Sequence, residues 1–269
     1  MISAYFEPFR AAALVEVQYR AAALAGIVTQ FAFGWIRMEI FVAVLVKASA
    51  SAAAQPLALS LRQTTDYIWL GQAFLMLLFT WRVPALREVV RSGALGVELL
   101  RPVDCYGFWY AQSLARVLVP CALRAVPMLA ICLATGLLHP PVSIEAGLWT
   151  AISLAMAFLL STALAMLVST AALWLVAGDG IAALVPGFLW SLSGVIVPLA
   201  FLPDWLRTVA EALPFAGLMD TPLRLYVGAI TLDQAAGPLL RQALWTVALI
   251  ALGWAAVQRG LRQAEIAGG

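Results

Sequence analysis

Lysine is almost missing from this sequence. One lysine, Lys47, stands among sixteen basic residues in 269, and only 11% of the chain is charged. An ordinary soluble domain carries ~25% charged residues, and a nucleic-acid-binding domain clusters basic ones on one face. Neither pattern is present, so no nucleic-acid partner is expected. The lone lysine follows Leu45 and Val46, and no G-x-x-x-x-G-K-[ST] occurs, which excludes a phosphate-binding loop and hence ATP hydrolysis by this chain. The nearest approach to a nucleotide fingerprint, GDGIAA at 178–183, lies between two apolar runs without a preceding soluble strand and reads as a tight turn around Asp179. Histidine is equally scarce. His139, in LLHPPVS, is the sole one and reads as a membrane-interface residue, while H-E-x-x-H and G-x-S-x-G are both missing. A zinc or serine site, a bound metal and a catalytic role therefore have no support. Cys105, Cys121 and Cys132 form no C-x-x-C pair, and Cys121 and Cys132 lie ~16 Å apart along one helix, too far for a disulfide.

What is present is apolar. The composition is 64% hydrophobic with mean hydropathy +0.95, and uncharged runs recur near the ~20 residues that a helix needs to cross hydrocarbon. The chain reads as an all-α integral membrane protein forming one domain over residues 1–269. Phe6, Phe9, Ala13 and Val17 share a helical face within residues 1–20, with Glu16 and Arg20 spaced as an i,i+4 pair, which suits an amphipathic interfacial helix. Glu7 and Glu16, and the lack of a compact basic head, distinguish this start from a cleaved signal peptide, so the first span is expected to stay. Six transmembrane helices follow: about 21–46, 67–81, within 106–138, within 145–177, 181–202 and 237–257. A polar Ala- and Ser-rich segment, 47–65, separates the first two. Before the last span, residues 204–234 place Asp204, Arg207, Thr208 and Glu211 on one helical face and Trp205, Leu206, Val209 and Leu213 on another. Pro214 breaks that helix, and the segment reads as re-entrant helices dipping into the outer leaflet.

Arginine placement sets the orientation. With the amino terminus inside, Arg10, Arg20, Arg82, Arg87, Arg91, Arg101, Arg259 and Arg262 fall on the cytoplasmic side, against Lys47, Arg62, Arg207 and Arg224 outside. Both termini are then cytoplasmic. Arg116 sits near the inner headgroups, whereas Arg37, Glu39 and Arg124 lie within spans as candidate pathway or helix-interface charges. Snorkelling and interhelical pairing explain such charges more simply than a substrate site does.

The densest charge lies at 82–105, where Arg82, Arg87, Glu88, Arg91, Glu98, Arg101 and Asp104 form a mixed-sign patch. Pro84 and Gly93 bracket a short helix, a further turn covers 94–101, and Pro102 stops it. Positive-inside bias accounts for the arginines but not for Glu88, Glu98 and Asp104; mixed charges framing Leu99 and Leu100 are what a docking surface presents.

The stretches YIWLGQAFLMLLFTWR and SGALGVELLRPVD, with SGVIVPLAFLPDWL and LPFAGLMDTPLRLYVG further on, resemble bacterial ABC transporter permeases of the second exporter class. The resemblance implies a cytoplasmic coupling helix between spans two and three that docks on a separate ATPase. Carried onto this sequence, the coupling residues are Arg87, Glu88, Arg91, Glu98, Leu99, Leu100, Arg101, Pro102 and Asp104. It further implies an exporter in the bacterial inner membrane, two cytosolic ATPase subunits, and a second permease copy or paralogous permease. ATP and Mg would then reside on the partner, with no cofactor on this chain. An ion-driven carrier is the rival, but no inverted repeat is visible; a membrane-embedded enzyme is the other, and lacks a nucleophile or ligand set.

Overall fold

A computed structural model describes residues 3–50, 58–78, 96, 100–174 and 179–263. Every regular element among them is helical. The interfacial helix forms as α1, Ser3–Gln18, and Tyr19 (φ −87°, ψ 23°) interrupts the chain before α2, Arg20–Ser49. That break takes Glu16 and Arg20 out of one helical register, so the expected pair between them does not form; the surface pair on α1 is Arg10 with Glu7 at 3.9 Å.

α3, Leu61–Ala73, starts earlier than the apolar run suggests, because Ser60 and Gln63 form a capping box. The Gln63 amide donates to Ser60 Oγ at 3.2 Å, and the Ser60 amide donates to Gln63 Oε1 at 2.9 Å. At Phe74 the helix tightens into a 3-10 turn, Leu75–Leu78. The expected second span, 67–81, is therefore an α-helix followed by a 3-10 turn as far as Leu78, and its last three residues lie outside the described ones. The Ser161 hydroxyl donates to the Leu77 carbonyl at 2.6 Å, giving a partner to an oxygen released where the helix changes pitch.

α4, Cys105–Ala134, α5, Ile144–Trp174, and α9, Ala236–Gln263, are long and apolar enough to cross a membrane. They correspond to expected spans three, four and six. Span five differs. α6, Asp179–Leu192, has 14 residues, a length of ~21 Å against the ~30 Å of hydrocarbon, where 181–202 was expected to run through. The helix stops because the chain turns at Gly194 (φ +84°) and leaves α-geometry through Pro198 into a 3-10 turn, Leu199–Phe201. Residues 175–178, part of the turn expected at Asp179, lie outside the described residues.

Between there and α9 come α7, Asp204–Ala212, a 3-10 turn, Pro214–Leu218, and α8, Asp220–Tyr226. α7 lies at the surface with Trp205 exposed, whereas α8 is sunk into the protein, with Asp220, Leu223 and Leu225 buried. The core is built from Tyr67, Trp69 and Leu77 of the α3 region, Met128 and Cys132 of α4, Leu160 and Leu164 of α5, and Leu218 and Leu223 of the outer segment. Trp69 also packs on Phe31 of α2 at 5.5 Å between ring centroids. A Cβ on Gly34 would come within 2.8 Å of the same indole, so α2 and α3 touch closely only because residue 34 is glycine. In a bilayer, where lipid is as apolar as leucine, such shape-matched contact is what drives helix association.

Candidate functional site

Two polar constellations sit inside this apolar scaffold. The first is a closed knot around the 194 turn. Asp220, buried at the start of α8, accepts from the Tyr67 hydroxyl at 3.0 Å, from the Leu199 amide at 3.3 Å and from Arg224 Nη1 at 3.2 Å. The Tyr67 hydroxyl also lies 3.1 Å from the Gly194 carbonyl, and the Asp220 amide donates to the Ser193 carbonyl at 3.1 Å. Arg224 Nη1 continues to Glu211 Oε1 at 2.6 Å, and Arg241 donates to the Glu211 carbonyl at 2.5 Å. Burial pushes the Asp220 carboxyl up from its ordinary range, and the Arg224 guanidinium pulls the other way. Five segments meet here, and among them the knot gives partners to the acid, the base and the turn backbone.

A related clamp lies nearby. Asp66 of α3, almost buried, accepts from the His139 amide and faces His139 Nδ1, each at 3.0 Å, with Arg62 Nε at 3.8 Å. The Tyr226 hydroxyl donates to the His139 carbonyl at 2.9 Å, and Gln63 Nε2 donates to the Val227 carbonyl at 3.1 Å. His139 is thus a link between helix ends as well as an interface residue.

The second constellation is open. A cavity of about 770 Å³ runs along α2, bounded by Arg37, Phe33 and Phe41, by Gln72 and Met76 from the α3 region, by Arg124 of α4, and by Val195 and Ile196. Arg37 donates from Nη2 to the carbonyls of Val195 and, at 3.0 Å, Ile196, but forms no ion pair among the described residues. Gln30 is 4% exposed and both its amide atoms lack hydrogen-bond partners; Gln72, at 2%, has an unpartnered Oε1. A Cβ on Gly26 would meet the Arg124 guanidinium at 2.6 Å, so glycine at 26 is what admits that side chain against α2. Arg37 and Arg124 are therefore brought together on one cavity. Glu39 is not: it is exposed and lies outside that lining.

Of the expected coupling residues, Arg87, Glu88, Arg91, Glu98 and Leu99 lie outside the described residues. Leu100 is 83% exposed, and Arg101 and Pro102 are exposed beside it. The Arg101 guanidinium sits 4.3 Å from the Phe108 ring centroid. Asp104 points inward. Its Oδ2 caps α4 by accepting from the Gly107 amide at 2.7 Å, and its Oδ1 accepts from Gln258 Nε2 at 3.0 Å and Trp254 Nε1 at 3.3 Å on α9. Tyr5 of α1 packs over Gly107, where a Cβ would meet its ring at 2.9 Å.

The family description "ABC-2 family transporter protein" matches residues 61–268. The chain belongs to the ABC-2 transporter family. It is the membrane subunit of a type-2 ABC transporter, a transport component that is not itself catalytic, and membership implies association with an ATP-binding subunit. No curated protein matches the chain. Of the residues that matter in this ABC-2 permease, the sequence pattern pointed to Arg37 and Arg124 but not to Tyr67, Gly194, Gln30 or the Asp220–Arg224 pair. A signal for the last existed, an acid and a base at i,i+4 inside the otherwise apolar GLMDTPLRLYVG. Gln30 and Gln72 were likewise visible as isolated amides in apolar runs.

Proposed function

We propose that this chain is the permease half of an ATP-driven exporter in the bacterial inner membrane, paired with a second copy or a paralogous permease and driven by two cytosolic ATPase subunits that hold ATP and Mg. The observation that carries the reading is the family match over residues 61–268. In it, α2, the α3 region, α4, α5, the α6 region and α9 are the six crossings of a single domain, 1–269, and residues 204–234 form the outer re-entrant segment. Two groupings support the orientation with both termini inside. Ser60, Asp66, His139, Tyr226 and Val227 gather at one end of the helices, while Tyr5, Asp104, Gly107, Trp254 and Gln258 gather at the other. The first group carries the segments assigned outside and the second those assigned to the cytoplasm.

Residues 82–105 are the coupling segment in this reading. The exposed Leu100, Arg101 and Pro102 support it, since an apolar residue beside a charge and free of the core suits a docking face. Asp104 supplies the mechanical link: force delivered at 100–102 reaches α4 through its cap and α9 through Trp254 and Gln258, with two residues of slack at most. The test is the double substitution Glu98→Ala and Arg101→Ala. Normal insertion with loss of ATPase copurification or of transport-coupled hydrolysis is expected, because truncating a buried interfacial charge costs ~2–5 kcal/mol while a solvated pair contributes ~0–1. Unchanged coupling in a correctly inserted double mutant would remove the pair from the docking site.

A further inference from the structure

Arg124 and Met76 line two hollows. One is the cavity that reaches Arg37; the other, of about 330 Å³, extends the opposite way to Arg116, Glu16 and Tyr19. The two hollows are therefore consecutive parts of one groove between α2 and α4, and three arginines are spaced along it. Arg116 and Arg124 are ~12 Å apart along α4, and from Gly26, where Arg124 touches α2, to Arg37 is ~16 Å. These rises together approach the ~30 Å thickness of the hydrocarbon core. Around the arginines the walls are apolar, through Phe33, Phe41 and Met76, and the larger hollow falls within the ~300–1,000 Å³ of small-molecule sites.

We propose that this groove binds an amphiphile with one acidic head group, a phosphate, sulfate or carboxylate, whose chain lies on the apolar wall, and that Arg116, Arg124 and Arg37 are successive seats for the head group across the membrane. The proposal rests on the permease reading and names its cargo class. Charge and burial select this ligand. Arg37 and Arg116 form no ion pair among the described residues, and the one carboxylate on the lining, Glu16, lies at the Arg116 end. A buried donor without a partner is costly, and Gln30 Nε2 is such a donor on the same lining as Arg37 and Arg124. A cationic amphiphile would add like charge beside guanidinium groups in a medium of low dielectric, and a neutral one would supply no counter-charge to Arg37 and Arg116. A hydrophilic anion without a chain would leave the aromatic wall unused.

The full chain in phosphatidylcholine nanodiscs is labelled with a diazirine-bearing dodecyl phosphate and the cross-linked peptides are mapped. Saturable labelling of α2 and α4 is expected, displaced by unlabelled dodecyl phosphate at a concentration at least about tenfold lower than by dodecyltrimethylammonium or dodecyl maltoside, the discrimination expected when a charge-assisted contact is lost. Equal displacement by the cationic or neutral chain overturns the head-group assignment, and equal displacement by inorganic phosphate overturns the amphiphile in favour of a free anion. Arg124→Gln and Arg37→Gln should each raise the half-saturating concentration about tenfold or more. Because Arg37 also holds the 195–196 backbone, Gln30→Leu, which keeps side-chain bulk and removes only the amide, provides a fold-preserving variant and should raise it about threefold. Arg116→Gln should reduce labelling near residues 16–23 and spare that near 33–41; identical labelling in all four folded variants overturns the proposal. Copurification of an ATP-binding subunit with the wild-type chain, scored in the same preparations, decides the permease reading independently: retained copurification without head-group selectivity rejects the cargo class alone.

Discussion

The knot around Asp220 and the groove along α2 contain the same kinds of side chain, yet they end in opposite states. In the knot, the acid meets Tyr67, Arg224 and a backbone amide, and the base meets two acids. Along the groove, Arg37 meets only carbonyl oxygens and Gln30 has no hydrogen-bond partner. Polar groups closed on one another inside an apolar protein fix geometry, whereas polar groups left facing a hollow are available to something that enters it. The knot therefore belongs to the architecture, and the groove is the place proposed above for cargo.

The largest expected effect breaks the knot from one side. Arg224→Ala leaves the buried Asp220 without its counter-charge and should cost ~3–5 kcal/mol, read as a large loss of thermal stability of the purified protein in detergent. Asp220→Ala, which leaves Arg224 paired with Glu211, should cost less. Removing both, as Asp220→Ala with Arg224→Ala, should cost less than the sum of the singles because no lone buried acid remains. Additive losses would show that the two side chains act separately and would dissolve the comparison. By contrast, Arg124→Gln on the groove should leave thermal stability nearly unchanged.

Next in size is Gly194→Ala. Its φ of +84° disfavours any side chain, and a Cβ would come within 2.5 Å of the Tyr67 hydroxyl. About 2 kcal/mol of destabilisation is expected. In a Tyr67→Phe background the same change should cost less, since the clashing oxygen is gone, and a thermal-melt double-mutant cycle measures the difference.

Much of the scaffold was legible because α4, α5 and α9 are long, predominantly apolar stretches whose length and composition mark them as spanning candidates. The early start of α3 was harder to see: the Ser60 and Gln63 pair is a helix-start signal, but LRQTTD is too polar for a hydropathy reading to include. The short α6 was hidden for another reason. Hydropathy continues through VIVPLAF while the backbone has already turned at Gly194, and backbone geometry leaves no trace in hydropathy. The site shows the same division. Charges inside spans are conspicuous one by one, so Arg37 and Arg124 stood out, but their convergence on one cavity depends on how α2 packs against α4, which no single helix encodes.

Smaller effects sharpen the contrast. Ser60→Ala removes the acceptor of the α3 capping box and should cost ~1 kcal/mol, a shift of a few degrees in the melting temperature. Arg207→Ala on the surface of α7 breaks a 2.6 Å pair with the exposed Asp204 and should cost at most about 1 kcal/mol, showing that a short distance alone does not make an ion pair structural.

The central claim is that this chain conducts transport and leaves nucleotide chemistry to a partner, and reconstitution tests it directly. The purified permease in proteoliposomes is assayed for ATP hydrolysis and nucleotide binding, alone and with its cytosolic ATP-binding subunit. The account predicts neither activity from the chain by itself, and vanadate-sensitive hydrolysis that is gained with the subunit and lost in the Glu98→Ala, Arg101→Ala double mutant. Stoichiometric nucleotide binding or hydrolysis by the permease alone would contradict it, whereas partner-dependent hydrolysis indifferent to that double substitution would remove only Glu98 and Arg101 from the docking site.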